Sequence, residues 1–171
     1  MNFMPNVLTL SNLLLGSLSL MWTISGNYRA AAVFILAAMV LDGLDGRVAR
    51  RLGTCSELGK ELDSLADLVS FGVAPALLMF VMLPNRPDEM AGYSLLLGIA
   101  SLAFILCGAY RLARFNVLNI HEYYVGIPIT IAGSILALLA LVIPQVSAWF
   151  FIIVMFLFAF LMVSRFKVPK Y

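Results

Sequence analysis

The sequence predicts an all-α integral membrane protein with six transmembrane helices. Of its 171 residues, 63% are hydrophobic and only 12% are charged, which leaves too few polar side chains to cover a water-soluble domain. A bilayer core of about 30 Å needs roughly 20 apolar residues for each helix, so a chain of this length has room for about six crossings. We therefore expect a single transmembrane domain over residues 1–171.

Six apolar runs, separated by polar breaks or breaks that contain Pro or Gly, mark the predicted helices. They are Val7 to Ile24, Ala30 to Leu41, Leu65 to Leu83, Tyr93 to Tyr110, Ile127 to Ile143 and Ala148 to Val163. The second run would be only about 18 Å long at 1.5 Å per residue, which is too short to cross. We therefore expect that helix to continue through Arg50.

Three local signals refine these helices. The third helix is expected to begin near Thr54, because Thr54-Cys55-Ser56-Glu57 resembles a capping box. Gly72 and Pro75 are expected to kink that helix or to allow close packing. The start of the chain, Met1 to Ser11, lacks the basic segment and small-residue cleavage site of a signal peptide, so the first run is interpreted as a retained helix.

Lys and Arg are distributed unequally between the two predicted sides of the membrane, and cytoplasmic loops usually hold the excess. With the N-terminus inside, the outer side has only Arg29 and Arg86. The inner side has the other nine, namely Arg47, Arg50, Arg51, Lys60, Arg111, Arg114, Arg165, Lys167 and Lys170. This predicts a multi-pass protein of the cytoplasmic membrane with both termini in the cytoplasm. The net charge of +2, without a basic face, excludes nucleic-acid binding.

Four aspartates lie at helical spacings around the connection between the second and third helices. Asp42 and Asp45 are three residues apart, and Asp63 and Asp67 are four apart, so each pair occupies one helical face. Converging carboxylates repel one another in a low dielectric unless a cation lies between them. Oxygen ligands favour Mg²⁺, Mn²⁺ or Ca²⁺ over zinc, and four acids suffice for one or two ions. In the alternative, the acids form only an interfacial charge belt with neighbouring basic residues.

The same segment resembles the signature of the CDP-alcohol phosphatidyltransferase family, which reads D-x-x-D-G-x-x-A-R, eight residues, G-x-x-x-D-x-x-x-D. Its fixed positions are filled without departure by Asp42, Asp45, Gly46, Ala49, Arg50, Gly59, Asp63 and Asp67. The resemblance implies that the four aspartates bind Mg²⁺ or Mn²⁺, with Ca²⁺ able to substitute in binding. It implies that Asp67 is also the general base. It further implies a nucleotide pocket shaped by Asp42, Gly46, Ala49, Arg50 and Gly59, at the cytoplasmic ends of helices two and three.

Flanking residues resemble the small, membrane-embedded phosphatidylserine synthase branch of that family. The similar stretches are Pro5 to Thr9 with Asn12, Glu61 to Ala76, and Arg111 to Asn116. The resemblance implies transfer of the phosphatidyl group of CDP-diacylglycerol to L-serine with release of CMP, by a homodimer surrounded by membrane lipids. A sister enzyme that uses glycerol 3-phosphate or an inositol phosphate is the alternative within the family. A cation-coupled membrane transporter is the alternative of a different class, although the sequence has one acidic cluster and no repeated half.

Two further groups of residues are candidates for binding the pyrophosphate or serine. Arg111 and Arg114 lie three apart at the predicted cytoplasmic end of the fourth helix, where they either grip an anionic group or are ordinary positive-inside anchors. Asn6, Thr9 and Asn12 recur at three-residue steps and give the first helix one polar stripe. In the alternative, Asn6 is only a helix N-cap and Thr9 bonds to its own helix.

Overall fold

Six helices form the part of the chain that the computed structural model describes, residues 3–52, 56–84, 93–118, 123–164 and 167–169. Within it, side chains are described except at 3–5, 45–52, 118, 123–125 and 167–169. The helices are α1 (Phe3–Ile24), α2 (Tyr28–Leu52), α3 (Glu57–Met82), α4 (Ser94–Leu118), α5 (Ile129–Val142) and α6 (Ala148–Val163). The predicted number of helices is confirmed for these residues, as is the continuation of the second helix through Arg50.

Within the residues whose side chains are described, three helices are long and apolar enough to cross a membrane, by length and composition. They are Asn6–Ile24 within α1, the whole of α3, and Ser94–Val117 within α4. The helices α5 and α6 are apolar but shorter, with 14 and 16 residues. Crossing by α2, α5 and α6 stays a prediction.

One predicted helix start is wrong, and one alternative for the first helix is excluded. The N-cap of α3 is Ser56, whose Oγ accepts a hydrogen bond from the amide of Gly59 at 3.0 Å. A serine hydroxyl at this position satisfies an amide that has no partner in the helix, so α3 begins at Glu57 rather than near Thr54, which lies outside the described residues. The helix α1 begins at Phe3, so Asn6 lies inside the helix and is not its N-cap.

The interruption predicted at Gly72 and Pro75 is a widened helical turn. The helix α3 is α-helical over Glu57–Asp67, π-helical over Leu68–Val73 and α-helical again over Ala74–Met82. The amide of Ala74 donates to the carbonyl of Val69, five residues earlier. Pro75 follows and has no amide hydrogen to donate. The hydrogen bond that the helix lacks at Pro75 therefore falls where the π-helical segment ends.

The π-helical segment is packed closely between α1 and α5. A Cβ on Gly16 of α1 would overlap Ser70, and a Cβ on Gly133 of α5 would overlap the backbone oxygen of Phe71. The Ser70 Oγ also donates to the main-chain oxygen of Asn12 in α1, at 3.1 Å. Glycine at both contact points therefore lets two neighbouring helices approach the backbone of α3, as in other tightly packed membrane helices.

The remaining packing is largely apolar. Fully buried side chains from several helices form the core, among them Ile35, Phe71, Leu78, Met79, Leu97, Phe104, Leu136 and Phe151. The helices α1 and α2 form a hairpin whose turn contains Gly26 at a φ of 81°, a left-handed conformation that glycine adopts without strain. The Ser19 Oγ donates to the Ala31 carbonyl across this hairpin at 2.9 Å.

A short antiparallel ribbon accompanies the helices, which otherwise confirm the predicted all-α architecture in the described residues. Its strands are β1 (Tyr123–Val125), which precedes α5, and β2 (Lys167–Pro169), which follows α6. Strands of three residues are too short to leave a periodic pattern in the sequence. Their pairing brings the connection between α4 and α5 and the chain after α6 to the same end of the bundle.

Candidate metal centre and its surroundings

Three carboxylates meet where α2 and α3 face each other. Asp42 of α2 and Asp63 and Asp67 of α3 each offer one carboxylate oxygen, and these three oxygens lie within 4.8 Å of one another. Asp67 is 8% exposed, and the other two are half-buried. Three negative charges this close and this shielded from water repel one another strongly. The structure thus brings these three predicted residues together, and their role as metal ligands stays a prediction.

The remaining signature residues are described unevenly. The side chains of Asp45, Ala49 and Arg50 lie outside the described part, as does the environment of Gly46, although all four belong to α2. Gly59 lies in the first turn of α3 and is half-buried. Among the residues predicted to form the nucleotide pocket, Asp42 and Gly59 therefore have described surroundings.

The polar stripe of α1 lies along α3. At one end, a Cβ on Gly59 would be 3.6 Å from the Oδ1 of Asn6. Further along, the Nδ2 of Asn12 donates to the Oδ1 of Asp67 at 3.4 Å. Thr9 lies between these two contacts in the sequence and is buried. The structure therefore places Asn12 directly at the carboxylates and Asn6 beside the start of α3.

The two arginines of α4 have different surroundings. Arg111 is 7% exposed, and its positive charge acts on Asp67. Arg114 instead donates from Nη1 to the carbonyl of Val163 at 3.0 Å, and its guanidinium carbon lies 5.9 Å from the centre of the Tyr110 ring. Val163 is the last residue of α6, so Arg114 caps that helix and complements its dipole. Of the predicted pair, the structure places Arg111 within electrostatic range of Asp67 and engages Arg114 at the end of α6.

Two residues, Asn116 and Ser70, make supporting contacts that had no counterpart in the sequence-based prediction. The Nδ2 of Asn116 donates to the Ser64 Oγ at 3.0 Å and to the Glu61 Oε1 at 3.4 Å, which joins the end of α4 to the first part of α3. Ser70 joins α3 to α1 through the main chain of Asn12. The partners are more than 50 positions apart, so no helical spacing rule relates them. The sequence signal for Asn116 and Ser70 was only that each is a polar residue in an otherwise apolar helix.

Comparison with known proteins identifies the family. A family model described as CDP-alcohol phosphatidyltransferase matches residues 2–162. The chain belongs to the CDP-alcohol phosphatidyltransferase family. This confirms the resemblance carried by the aspartate signature, and it places the cluster of Asp42, Asp63 and Asp67 in a CDP-alcohol phosphatidyltransferase.

Three relatives of this CDP-alcohol phosphatidyltransferase carry the name CDP-diacylglycerol–serine O-phosphatidyltransferase. The chain is 42% identical to the relative from Helicobacter pylori (strain J99), over 80% of this chain and 56% of the relative. It is 37% identical to the relative from Mycobacterium leprae, over 99% of this chain and 59% of the relative. It is 38% identical to the relative from Bacillus subtilis, over 82% of this chain and 76% of the relative. The chain thus spans less than two thirds of the length of the first two relatives.

Proposed function

We propose that this protein transfers the phosphatidyl group of CDP-diacylglycerol to L-serine and releases CMP. The observation that carries the proposal is the convergence of Asp42, Asp63 and Asp67 within 4.8 Å in a chain of this family. The shared name of the relatives supports serine as the acceptor. A cation-coupled transporter would also need acids within the membrane, but membership in a transferase family argues against that alternative.

The carboxylate cluster suits a divalent metal ion. Its donor atoms are all oxygens and carry several negative charges, a combination that favours Mg²⁺ or Mn²⁺ and disfavours softer metals. Asp42, Asp63 and Asp67 would hold the metal, together with Asp45 on the strength of the family signature. When bound, one or two such ions would neutralise negative charge on the oxygens of the pyrophosphate, including those on the phosphorus being attacked.

The reaction is a displacement at the phosphorus atom that carries the diacylglycerol. The hydroxyl oxygen of serine forms a new bond to this phosphorus, and the bond from the phosphorus to the CMP oxygen breaks, so that CMP leaves with the electron pair. Asp67 takes the proton of the serine hydroxyl as general base. Asn12 holds the Asp67 carboxylate by its hydrogen bond, and the buried guanidinium of Arg111 opposes negative charge that develops on the phosphate oxygens.

The proposal includes the arrangement in the membrane. All six helices cross, both termini lie in the cytoplasm, and the carboxylates lie near the cytoplasmic side of the cell membrane. The distribution of Lys and Arg supports this orientation. The β1–β2 pairing and the contact of Arg114 with Val163 support the alternate crossings but not the choice of side, because they join segments that such crossings would place on one side. A homodimer, implied by the family resemblance, is part of the proposal and is tested by the mass of the detergent-solubilised protein.

A sister enzyme with a phosphorylated acceptor is the second candidate within the family. Such an acceptor carries more negative charge than serine and needs additional cationic side chains. Arg114 is an obvious source of that charge by sequence, yet its guanidinium is engaged with the end of α6. The geometry therefore favours the acceptor without a phosphate group.

The decisive experiment measures CMP release by the purified protein with CDP-diacylglycerol and Mg²⁺ or Mn²⁺. L-Serine, glycerol 3-phosphate and an inositol phosphate are supplied side by side. We expect release that depends on L-serine and is abolished by Asp67→Asn in a protein that remains folded. The matched control is Glu57→Gln, which changes an exposed acid of the same helix and should retain activity. Near-normal turnover by Asp67→Asn would refute the catalytic assignment. Faster CMP release with glycerol 3-phosphate than with L-serine would identify glycerol 3-phosphate as the acceptor.

A further inference from the structure

The side chain of Asn12 is buried at the carboxylate cluster, and its amide oxygen has no hydrogen-bond partner among the described residues. Asn12 is 1% exposed. Its Nδ2 donates to Asp67, whereas its Oδ1 is shielded from solvent and has no hydrogen-bond partner among the residues that the structure describes. Buried amide oxygens are nearly always paired, because leaving one without a donor is unfavourable. A hydrogen-bond donor that is not a described residue is therefore expected at this oxygen.

The surrounding contacts fix the position of this oxygen. The main chain of Asn12 accepts a hydrogen bond from Ser70, and Gly16, one turn later, packs against the same serine. The neighbouring carboxylate also fixes which end of the amide faces it. The NH₂ group is attracted by Asp67, whereas the amide oxygen would be repelled by it. The Oδ1 of Asn12 thus points away from the Asp67 oxygen that its Nδ2 contacts. It still lies beside the carboxylate cluster, because both atoms belong to one carboxamide.

The chemistry of the substrates narrows the identity of the donor. The phosphate groups of CDP-diacylglycerol present only oxygen acceptors to this position. Serine presents a hydroxyl, which the proposed reaction directs to Asp67, and an ammonium group on the adjacent carbon. Asp67 and Asn12 lie side by side, as the hydroxyl and ammonium groups of serine do. A hydrogen bond from a charged ammonium is about twice as strong as one from a neutral hydroxyl. At the same position, glycerol 3-phosphate would offer only a neutral hydroxyl.

We propose that Asn12 selects the acceptor: its amide oxygen accepts a hydrogen bond from the ammonium group of an amino alcohol whose hydroxyl faces Asp67. This inference rests on the proposed function and names the feature by which that site prefers serine. Asn12 thereby has two roles, since one end of its carboxamide positions the proposed base and the other end binds the substrate.

The test compares acceptors that differ from L-serine by one group, in the wild-type protein and in Asn12→Leu. 3-Hydroxypropionate lacks only the ammonium group, and ethanolamine lacks only the carboxylate. Relative affinities are taken from the KM of L-serine and from the inhibition constants of the two analogues. In the wild type, we expect loss of the ammonium group to weaken binding at least about tenfold. In Asn12→Leu that penalty should largely disappear, while the penalty for loss of the carboxylate stays unchanged.

Three controls separate this role from a merely structural one. Ser11→Ala removes a hydroxyl that bonds to its own helix at the Val7 carbonyl, and it should leave both penalties at their wild-type values. Mn²⁺ binding to Asn12→Leu, measured by electron paramagnetic resonance, should match that of the wild type. The smaller Asn12→Ala variant replaces Asn12→Leu if the latter does not fold, and the same loss of ammonium preference is expected.

The outcomes are distinguishable. If Asn12→Leu weakens L-serine and 3-hydroxypropionate equally, Asn12 acts only through Asp67 and the inference is wrong. If Mn²⁺ binding is lost, or if hydrolysis of CDP-diacylglycerol by water falls as much as transfer to serine, the donor at Oδ1 belongs to the metal site, which also overturns the inference. Failure of the wild-type protein to release CMP with L-serine would instead contradict the proposed function itself.

Discussion

The two ends of α3 are held in place by different forces. In the first part, Glu57–Asp67, three side-chain hydrogen bonds join the helix to its neighbours, from Asn116 to Ser64 and Glu61 and from Asn12 to Asp67. Only Ala66 and Asp67 are buried there. In the last part, Ala74–Met82, six of nine residues are buried and all six are apolar. The contrast indicates that one end of a continuous helix can hold repelling carboxylates because close packing anchors the other end.

The largest effect is expected from a change in the carboxylate end. Asp63→Asn removes one of three neighbouring negative charges and a predicted metal ligand, so we expect CMP release to fall by roughly a thousandfold or more. Without divalent metal, the same variant should unfold at a higher temperature than the wild type, because one repulsion has been removed. CMP release and thermal unfolding in detergent, with Mg²⁺ and with a chelator, measure both effects.

Glu57→Gln is the matched control for this change. Glu57 lies in the same part of α3, is exposed, and pairs with Lys60 on the surface, where such pairs contribute little to stability. Neither activity nor thermal unfolding should change measurably. If Asp63→Asn unfolds at a lower temperature than the wild type in the presence of chelator, the carboxylates do not repel one another and the contrast between the two ends fails.

The next largest effect is expected from the packed end. Leu78→Ala removes a fully buried side chain and should lower the free energy of unfolding by about 2 to 5 kcal/mol, because the cavity is only partly filled by relaxation. Folded protein at low temperature should retain its specific activity. Denaturant unfolding in detergent, together with CMP release, separates the two quantities. Phe80→Ala, which truncates an exposed side chain in the same part of the helix, should have a clearly smaller effect on unfolding, and equal effects would show that the packed end is not the anchor.

The widened turn between the two ends is probed by Gly133→Ala. The new Cβ would overlap the backbone oxygen of Phe71, and a backbone atom cannot move aside as a flexible side chain can. We expect a loss of stability of about 1 to 3 kcal/mol, together with reduced activity in the folded protein, since a shift of this turn displaces Asp67. Gly98→Ala is the control, because its Cβ would meet only ordinary contact, 3.5 Å from the Phe80 ring. Normal activity of folded Gly133→Ala would show that the turn does not position the carboxylate.

Features with a local cause could be predicted from the sequence, and those that depend on distant partners could not. Helical spacing places Asp63 and Asp67 on one face of α3, and the cost of unneutralised acids in the membrane predicted that Asp42 shares a site with them. By contrast, the interruption near Pro75 was predictable, but its form as a π-helical turn involves Gly133, which lies far along the chain.

The two arginines illustrate the same limit at the candidate site. Arg111 and Arg114 are the same residue type and lie three positions apart on one face of the same helix. The sequence therefore gives no basis for treating them differently. Arg114 is directed elsewhere only because α6 ends beside it and leaves carbonyl groups without helical partners. The capping prediction failed for a related reason, since Thr54 and Ser56 are both acceptable N-caps by residue type, whereas α3 uses Ser56.

The smallest effect is expected at the junction between the two ends. Ser70→Ala removes the hydrogen bond to the Asn12 main chain while leaving a side chain small enough for the close approach of Gly16. One neutral hydrogen bond contributes about 1 kcal/mol, so stability should fall by about that amount. If Ser70 helps to hold Asn12 in place, the KM for serine should also rise, because Asn12 loses one restraint. Mn²⁺ binding should stay unchanged. Thr23→Ala is the control, since its hydroxyl is buried but bonds within α1 to Ser19, so that this variant should lose comparable stability without a change in KM. An equal rise in KM for both variants would mean that α1 responds as a whole and that Ser70 has no special part in placing Asn12.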